Sequence, residues 1–142
     1  MNQLALDQTI TATIVPDEDR LKFLPKYSGR YMLSGEAMVY SFLTKFSDAY
    51  SGGFWDFYEL SNGGFYMAPQ GHETIAMCNP MNYFSDQMSN HAAGITVCLF
   101  SLSCLSLSCK EVDREGLIDQ YYLLRDYALH HDEGGLILSA ID

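Results

Sequence analysis

Residues 54–68 of the chain read FWDFYELSNGGFYMA and carry the clearest local signal of structure in the sequence. Two aromatic-rich runs, Phe54–Leu60 and Phe65–Ala68, flank the turn sequence Ser61-Asn62-Gly63-Gly64. An Asn-Gly pair supplies the positive φ angles that a tight hairpin turn needs, so this spacing predicts two antiparallel strands. Large apolar side chains fall on both faces of the hairpin. We therefore expect another layer of structure to cover each face at least in part.

Two short elements are predicted near the N-terminus. Alternating β-branched residues in Thr9–Val15 predict a short strand, which Pro16 ends. Three acidic residues precede Arg20–Leu24, a pattern typical of a short helical turn with acids at its positive end. Pro25 is expected to stop that turn, because proline lacks the amide hydrogen that a continuing helix would use.

A longer helix and a second pair of strands flank the hairpin. Ser34 is expected to cap a helix that runs to about Ala49. On the other side, Thr74–Cys78 is a candidate third strand, and Asn82–Phe84 is expected to pair with it. The apolar residues of the predicted helix that recur at i, i+4 spacing are Met38, Phe42, Phe46 and Tyr50.

The C-terminal half is expected to be helical. Ser89 can cap a helix that runs through about Ser108, a second helix spans about Val112–His130, and a last short one spans Leu136–Ile141. The residues expected to face inward are Ile95, Cys98, Leu99, Leu102, Leu105, Leu117, Tyr121, Leu124 and Ala128.

This order of elements predicts an α+β fold, in which a small antiparallel sheet with a central β-hairpin packs against several helices. A length of 142 residues favours a single domain spanning residues 1–142, with residues 1–9 as a loose lead-in.

Charge and composition exclude several classes of protein. Hydrophobic residues make up 48% of the chain, which excludes a wholly disordered protein. The 18 acidic residues outnumber the 8 basic ones, giving a formal charge of −10 that disfavours strong nucleic-acid binding. Residues 1–16 lack the basic start and apolar core of a secretory signal, and the apolar stretch 94–109 is too short and serine-rich to span a bilayer. We therefore expect a cytoplasmic protein without a membrane anchor.

The acidity also raises the alternative of a DNA mimic. A globule of this length is about 37 Å across, and duplex DNA of that length carries about 20 charges. A net charge of −10 is about half of that number. Basic residues are moreover interspersed among the acids, at Lys22, Lys26, Lys45, Arg114 and Arg125. A full mimic is disfavoured, and a partial mimic stays as an alternative.

No motif of a common enzyme class is present. The chain lacks the GxxxxGK[ST] phosphate loop and the GxSxG nucleophile elbow, and the His-Glu pair at 72–73 lacks the second histidine of a zinc protease. His91 and Cys98 are seven residues apart and could share a helix face, so a Cys/His-dependent enzyme remains a second alternative.

The cysteines do not indicate a metal site. On a helix, Cys98, Cys104 and Cys109 are separated by about 240° and about 140° and cannot converge on one ion. Together with Cys78 they are predicted to be reduced, small, buried apolar residues. We expect neither a metal nor a cofactor.

At the hairpin the sequence resembles a known family. The block Tyr50–Pro69 is similar to the central signature of the ArdB/KlcA antirestriction family. The similarity runs from about Thr11 to the last residue. The other matching residues are Val15-Pro16 with Arg20 and Phe23–Pro25, Met88-Ser89 with Ala92–Gly94, Tyr122 with Leu124–Ala128, and Ala140–Asp142.

The resemblance implies a protein of plasmids, other mobile DNA or genomic islands that protects incoming DNA from type I restriction enzymes of the host. It implies a non-enzymatic inhibitor that leaves methylation largely intact and is not a strong DNA mimic. The implied partner is the type I restriction-modification enzyme, contacted directly or indirectly.

An inhibitor of this kind needs aromatic, arginine or charged residues to anchor a partner. Trp55, the only tryptophan, is one candidate, although it is also suited to closing a helix onto the sheet. Arg20 is a second, unless it pairs with the three acids beside it. Glu36 is a third, unless it serves the dipole in the first turn of the helix that Ser34 begins.

Asp142 is the fourth candidate. As the last residue of a predicted helix it places two carboxylates at the negative end of the helix dipole, which is unfavourable by some tenths of a kcal/mol. A compensating partner is therefore expected. It could be Arg125 or Arg114 within the chain, or a group on the target.

Overall fold

The computed structural model describes residues 9–142, so the expected lead-in falls outside the described range except for Thr9. The strands are β1 (Ala12–Ile14), β2 (Trp55–Leu60), β3 (Phe65–Pro69), β4 (Thr74–Asn79) and β5 (Phe84–Ser89). The helices are α1 (Arg20–Ser28), α2 (Met32–Phe46), α3 (Asn90–Ser108), α4 (Glu111–Leu129) and α5 (Gly134–Ile141). This arrangement confirms the predicted α+β fold with a helical C-terminal half.

The predicted hairpin is present as β2 and β3. The strands pair antiparallel with Tyr58 opposite Tyr66, and β1 adds to the free edge of β2 to give the order β1-β2-β3. In the turn, Gly63 has a φ of 94°, and the side-chain oxygen of Asn62 accepts a hydrogen bond of 3.0 Å from the Gly64 amide. The turn forms at the predicted position, but only Gly63 adopts the expected positive φ; Asn62 has a negative φ and contributes its side-chain oxygen instead.

Both faces of this sheet are covered. On one face, the Phe23 ring of α1 stacks on Phe57, with ring centroids 4.5 Å apart. On the other face, Tyr66 contacts Tyr127 of α4 and His91 of α3, at 5.8 Å and 5.9 Å between ring centroids. The sheet is thus enclosed between helices, as its two apolar faces require.

The second strand pair differs from the prediction. β4 pairs antiparallel with the whole of Phe84–Ser89 rather than with Asn82–Phe84, and the two strands form a separate two-stranded sheet. Asn82 instead lies in the turn between them. Its side chain accepts a hydrogen bond from the Phe84 amide at 3.0 Å, which makes it part of the turn.

Pro25 does not stop the first helix, which is a correction to the sequence analysis. α1 continues through Pro25 to Ser28. Besides stacking on Phe57, the Phe23 ring lies edge-on to Phe65 at 5.6 Å. Burial of this side chain stabilises the helix against the local penalty of the proline, since tertiary packing can outweigh propensity.

The start of α2 also differs. The helix begins at Met32, after a 3-10 turn at Gly29–Tyr31, so Ser34 lies inside it and its hydroxyl donates to the Tyr31 carbonyl at 3.3 Å. The helix ends at Phe46 rather than Ala49. Its buried residues are Gly35, Val39, Leu43 and Phe46, whereas the predicted Met38 and Phe42 are only partly buried.

α3 is the central helix of the core. Ser89 caps it as predicted, since its hydroxyl accepts from the Ala92 amide at 3.0 Å, and the predicted inward residues are buried. By length and composition alone this helix could cross a membrane. Here it packs against α2, α4, α5 and β3, and most of its apolar surface lies inside the protein.

The cysteines are less uniformly buried than expected. Cys98 is buried in α3, Cys104 and Cys109 are partly exposed, and Cys78 is exposed on β4. Cys78 falls on the outward side of a strand whose residues alternate between exposed and buried positions, so its exposure follows from the strand period.

Candidate functional site

Arg20, the first residue of α1, lies between two phenyl rings. Its guanidinium carbon Cζ is 4.2 Å from the ring centroid of Phe54 and 4.2 Å from that of Phe57. A guanidinium is attracted to an aromatic face at this distance by the ring quadrupole. The ion pair with the neighbouring acids, considered in the sequence analysis, does not form among residues 9–142. The rings therefore position the guanidinium, and its charge remains available to an anionic group.

Trp55 belongs to the core. Its side chain is 2% exposed, and the indole N–H donates to the Tyr50 hydroxyl at 2.9 Å. The Tyr40 ring lies 5.3 Å from it, centroid to centroid. In this position Trp55 presents almost no area to a partner. It can only support the surface residues from beneath.

Glu36 is bound by a tyrosine rather than serving the start of a helix. It lies in the second turn of α2, because the helix begins at Met32. Its Oε2 accepts a hydrogen bond of 2.9 Å from the Tyr40 hydroxyl. Burial, and then this bond, raise the pKa of the Tyr40 hydroxyl above its ordinary value, so Tyr40 stays neutral and remains a donor.

Tyr40 links three of the four candidate residues. It donates to Glu36 and packs against Trp55, and the Arg20 charge opposes the rise of its pKa. We refer to Arg20, Glu36, Tyr40 and Trp55 as the Tyr40 cluster. Tyr40 was not among the residues predicted from the sequence, although its i, i+4 spacing from Glu36 on one helix was a signal for it.

The outer edge of the Tyr40 cluster is aromatic. Phe54, which packs on Arg20, is 54% exposed, and Leu21 next to Arg20 is also exposed. The cluster can therefore offer a fixed positive charge beside apolar area. Arginine and aromatic side chains are the residues most enriched at energetically important positions of protein interfaces.

Asp142 lies elsewhere. It follows α5, which packs against α3, α4 and β5, whereas α1, α2 and β2 build the Tyr40 cluster. Within residues 9–142 neither Arg114 nor Arg125 forms an ion pair with it. Arg114 donates instead to the Ser106 carbonyl at 2.8 Å. The intramolecular partner considered in the sequence analysis is thus not formed.

Comparison with known proteins assigns the family. The model of a family described as "Antirestriction protein" matches residues 48–142, which include the hairpin and all of the C-terminal helices. The chain belongs to the antirestriction protein family. Two relatives from Escherichia coli, both called antirestriction protein KlcA, are 42% identical to it. One alignment covers 96% of this chain and 97% of the relative, and the other covers both completely.

A solved structure has the same fold. It superimposes with a TM-score of 0.84 at 40% identity, covering 95% of this chain and 96% of the other. It comes from a study of the KlcA and ArdB proteins, which describes a novel fold and antirestriction activity against type I DNA restriction systems in vivo but not in vitro. The likeness therefore extends over nearly the whole chain.

The arrangement of His91 and Cys98 that a Cys/His-dependent enzyme would need is not formed. Cys98 is fully buried, and burial raises the pKa of its thiol to about 12. The His91 Nδ1 lies 2.8 Å from the Tyr66 hydroxyl oxygen. Two turns of α3 separate the two residues by about 10 Å along the helix axis, beyond hydrogen-bond reach.

Within residues 9–142 no group of three or more His, Cys, Asp or Glu side chains is placed to hold a metal ion. The acidic residues are unevenly distributed along the chain. The segment 46–109 contains no Lys or Arg, but its 64 residues hold only five acidic ones. The other 13 acids share the rest of the chain with all eight basic residues. Lys26–Glu59 and Arg30–Asp113 are ion pairs at 2.8 Å and 3.3 Å.

Proposed function

We propose that this protein protects incoming DNA by inhibiting type I restriction enzymes of the host cell, through protein contacts and without chemistry of its own. The observation that carries the proposal is its full-length likeness to KlcA, together with the same fold as the KlcA and ArdB proteins. Activity against type I systems was described for those proteins, and we extend it to this chain.

Two structural features support an inhibitor without catalysis. The thiol that an enzyme would need as nucleophile is buried and its pKa is raised, and the nearby histidine is bound to Tyr66 instead. The Tyr40 cluster has the character of a contact surface, with an arginine fixed between aromatic rings and an exposed phenylalanine beside it. The inhibitor would meet its target in the cytoplasm, where incoming DNA is restricted.

A partial DNA mimic remains the second hypothesis, but its support is weak. A mimic needs closely spaced negative charges along one elongated face. Five acidic residues over segment 46–109 are too few to reproduce such a line. A contact between proteins requires no such array and agrees with the distribution of charge.

The proposal is tested by plating unmodified phage on cells that carry a type I restriction system, with and without this protein. Restored plating supports the proposed function. Unchanged plating, with the protein shown to be folded and expressed, contradicts it. The measurement is made in cells because the related proteins were described as active in vivo but not in vitro.

The contribution of the Tyr40 cluster is tested in the same assay with Arg20→Gln, which removes the charge at similar length. If the cluster contacts the target, this variant reduces plating. Lys22→Gln, a matched change two residues further along α1, leaves plating unchanged. If phage plate equally well with both variants, the Tyr40 cluster does not contact the target. The proposed function would not be affected by that result.

A further inference from the structure

The turn between β4 and β5 presents two large side chains to solvent. Met81 is 81% exposed and Tyr83 is 93% exposed. They flank Asn82, and we refer to residues 81–83 as the hairpin tip. Exposed apolar side chains are common singly, but two of them in one turn form a defined feature.

The hairpin tip is held firmly by asparagine side chains. The Asn82 side-chain amide donates to the Ser139 and Ala140 carbonyls at 3.1 Å and 3.0 Å. The buried Asn79 side chain donates to the same Ala140 carbonyl at 2.9 Å and accepts from the Met81 amide at 3.1 Å. The turn is therefore fixed to the end of α5, and Met81 and Tyr83 project from a rigid base.

Tyr83 has a strained backbone. Its φ is 62°, the only positive value at a residue other than glycine within residues 9–142. Glycine or asparagine adopts this left-handed conformation readily, whereas a bulky aromatic residue is rare there. Folding alone would be served better by Asn or Gly at position 83. Strained, exposed residues held by their surroundings are found preferentially at functional sites.

The segments that form the hairpin tip and its base carry acidic residues and no Lys or Arg. No Lys or Arg occurs in residues 46–109 or in residues 126–142, the segments that supply the β4–β5 hairpin and α5. Asp86 lies on β5, and Asp142 follows Ala140, on which the tip is anchored. Lys45, at the end of α2, lines the groove beside Asp86 and Asp48, so acids outnumber it there as well.

We propose that the hairpin tip is a docking anchor for a protein whose surface is basic and contains an apolar pocket for Tyr83 and Met81. A rigid tyrosine supplies a large contact area at low cost in side-chain entropy. The acidic surroundings favour a cationic partner and oppose both nucleic acid and a second copy of this chain, which carries a charge of −10. The anchor would be a second contact surface of the inhibitor. The phage-plating test below rests on the proposed function, whereas the cross-linking test does not.

Two variants test the anchor in the phage-plating assay. Tyr83→Asn removes the aromatic ring and fits the left-handed backbone, while Met81→Ser removes the neighbouring apolar side chain. Leu107→Ser, at an equally exposed position of α3, is the matched control. We expect each tip variant to lower plating at least tenfold and the control to plate as the wild type does.

Melting temperature separates docking from a structural role. Tyr83→Asn is expected to raise the melting temperature by roughly 4 °C, because relief of the backbone strain stabilises the folded state. A gain in stability together with a loss of protection is the result that a structural role would not produce. Wild-type plating by both tip variants, or an equal loss in the Leu107→Ser control, overturns the proposal.

If the wild type itself gives no protection, the proposed function fails. The docking anchor is then tested by a second measurement that does not depend on protection. Benzoylphenylalanine is placed at position 83 of the full chain and irradiated in restricting cells. A discrete adduct with a protein of isoelectric point above about 9, lost when Met81→Ser or Asp86→Lys is added, supports the anchor. An adduct with a second copy, an adduct with DNA, or none at all overturns it.

Discussion

The environment of His91 makes its protonation unfavourable in the folded protein. Burial lowers the pKa of His91 below its ordinary value of 6.5, and the nearby His131 lowers it further. Asp56 and Glu133 act in the opposite direction but do not reverse the shift. Because the unfolded chain then binds more protons than the folded one, stability is full above about pH 6.5 and falls as the pH drops through that value.

We expect His91→Asn to reduce this pH dependence. An asparagine oxygen can take the place of Nδ1 opposite the Tyr66 hydroxyl, but asparagine does not titrate. Melting temperatures at pH 7.5 and pH 5 should therefore differ less in the variant than in the wild type. His130→Asn, at an exposed position, is the control and should keep the wild-type difference. An unchanged difference in His91→Asn would show that other groups cause the acid sensitivity.

Asp142 is the second residue for which charge leads to a prediction. Since neither Arg114 nor Arg125 pairs with it among the described residues, its exposed carboxylate is available to a target. We predict that Asp142→Asn lowers protection of unmodified phage and leaves the melting temperature unchanged. Asp132→Asn, an equally exposed acid before α5, should affect neither. Full protection by Asp142→Asn would show that the carboxylate is not used.

Among the secondary-structure elements, the crossing of α3 over β3 depends on one glycine. A Cβ added at Gly94 would run into the Met67 carbonyl and would lie 2.9 Å from the Ala68 Cα. Both obstacles are backbone atoms, so no side chain can move aside and the helix would have to shift off the sheet. We expect Gly94→Ala to lower the free energy of unfolding by about 2–4 kcal/mol.

Gly116→Ala provides the matched control. Gly116 lies in α4 with nothing within 4 Å of an added Cβ, so alanine should raise the free energy of unfolding by about 0.5–1 kcal/mol through its higher helix propensity. Urea unfolding of the two variants should therefore give changes of opposite sign. A Gly94→Ala protein as stable as the wild type would mean that the helix and the sheet can separate at little cost.

Elements with local signals were predictable from the sequence. The hairpin follows from Asn62-Gly63, and the start of α3 follows from Ser89, because a turn or a cap acts within a few residues. The helix ends predicted from Pro25 and Ser34 were wrong for the opposite reason. Packing of Phe23 and the preceding 3-10 turn decided those helix ends, and neither is visible in the local pattern.

The arrangement of the candidate residues was not predictable from the sequence. The i, i+4 spacing could indicate the contact of Tyr40 with Glu36, but the contact of Tyr40 with Trp55 joins two elements and no spacing along the chain reveals it. The hairpin tip was missed for a similar reason. The sequence placed Asn82 in a strand, whereas its hydrogen bonds to α5 make it the base of the turn.

For the molecule as a whole, the distribution of charge bears on the mode of inhibition. Ion pairs such as Lys26–Glu59 interrupt the acidic surface, and the stretch without basic residues carries few acids. A DNA mimic would occupy a DNA-binding groove and block every step that needs DNA, methylation included. An inhibitor that acts through protein contacts can block restriction and leave methylation intact.

We therefore predict that phage rescued by this protein are methylated. Progeny from restricting cells that contain the protein are replated on restricting cells that lack it. If methylation continues, the progeny plate as well there as on a non-restricting host; progeny from a host without the system serve as the unmodified control. Progeny restricted as strongly as this control would mean that the protein blocks methylation too. The scattered acids would then have to act as a partial DNA mimic after all, which their spacing opposes.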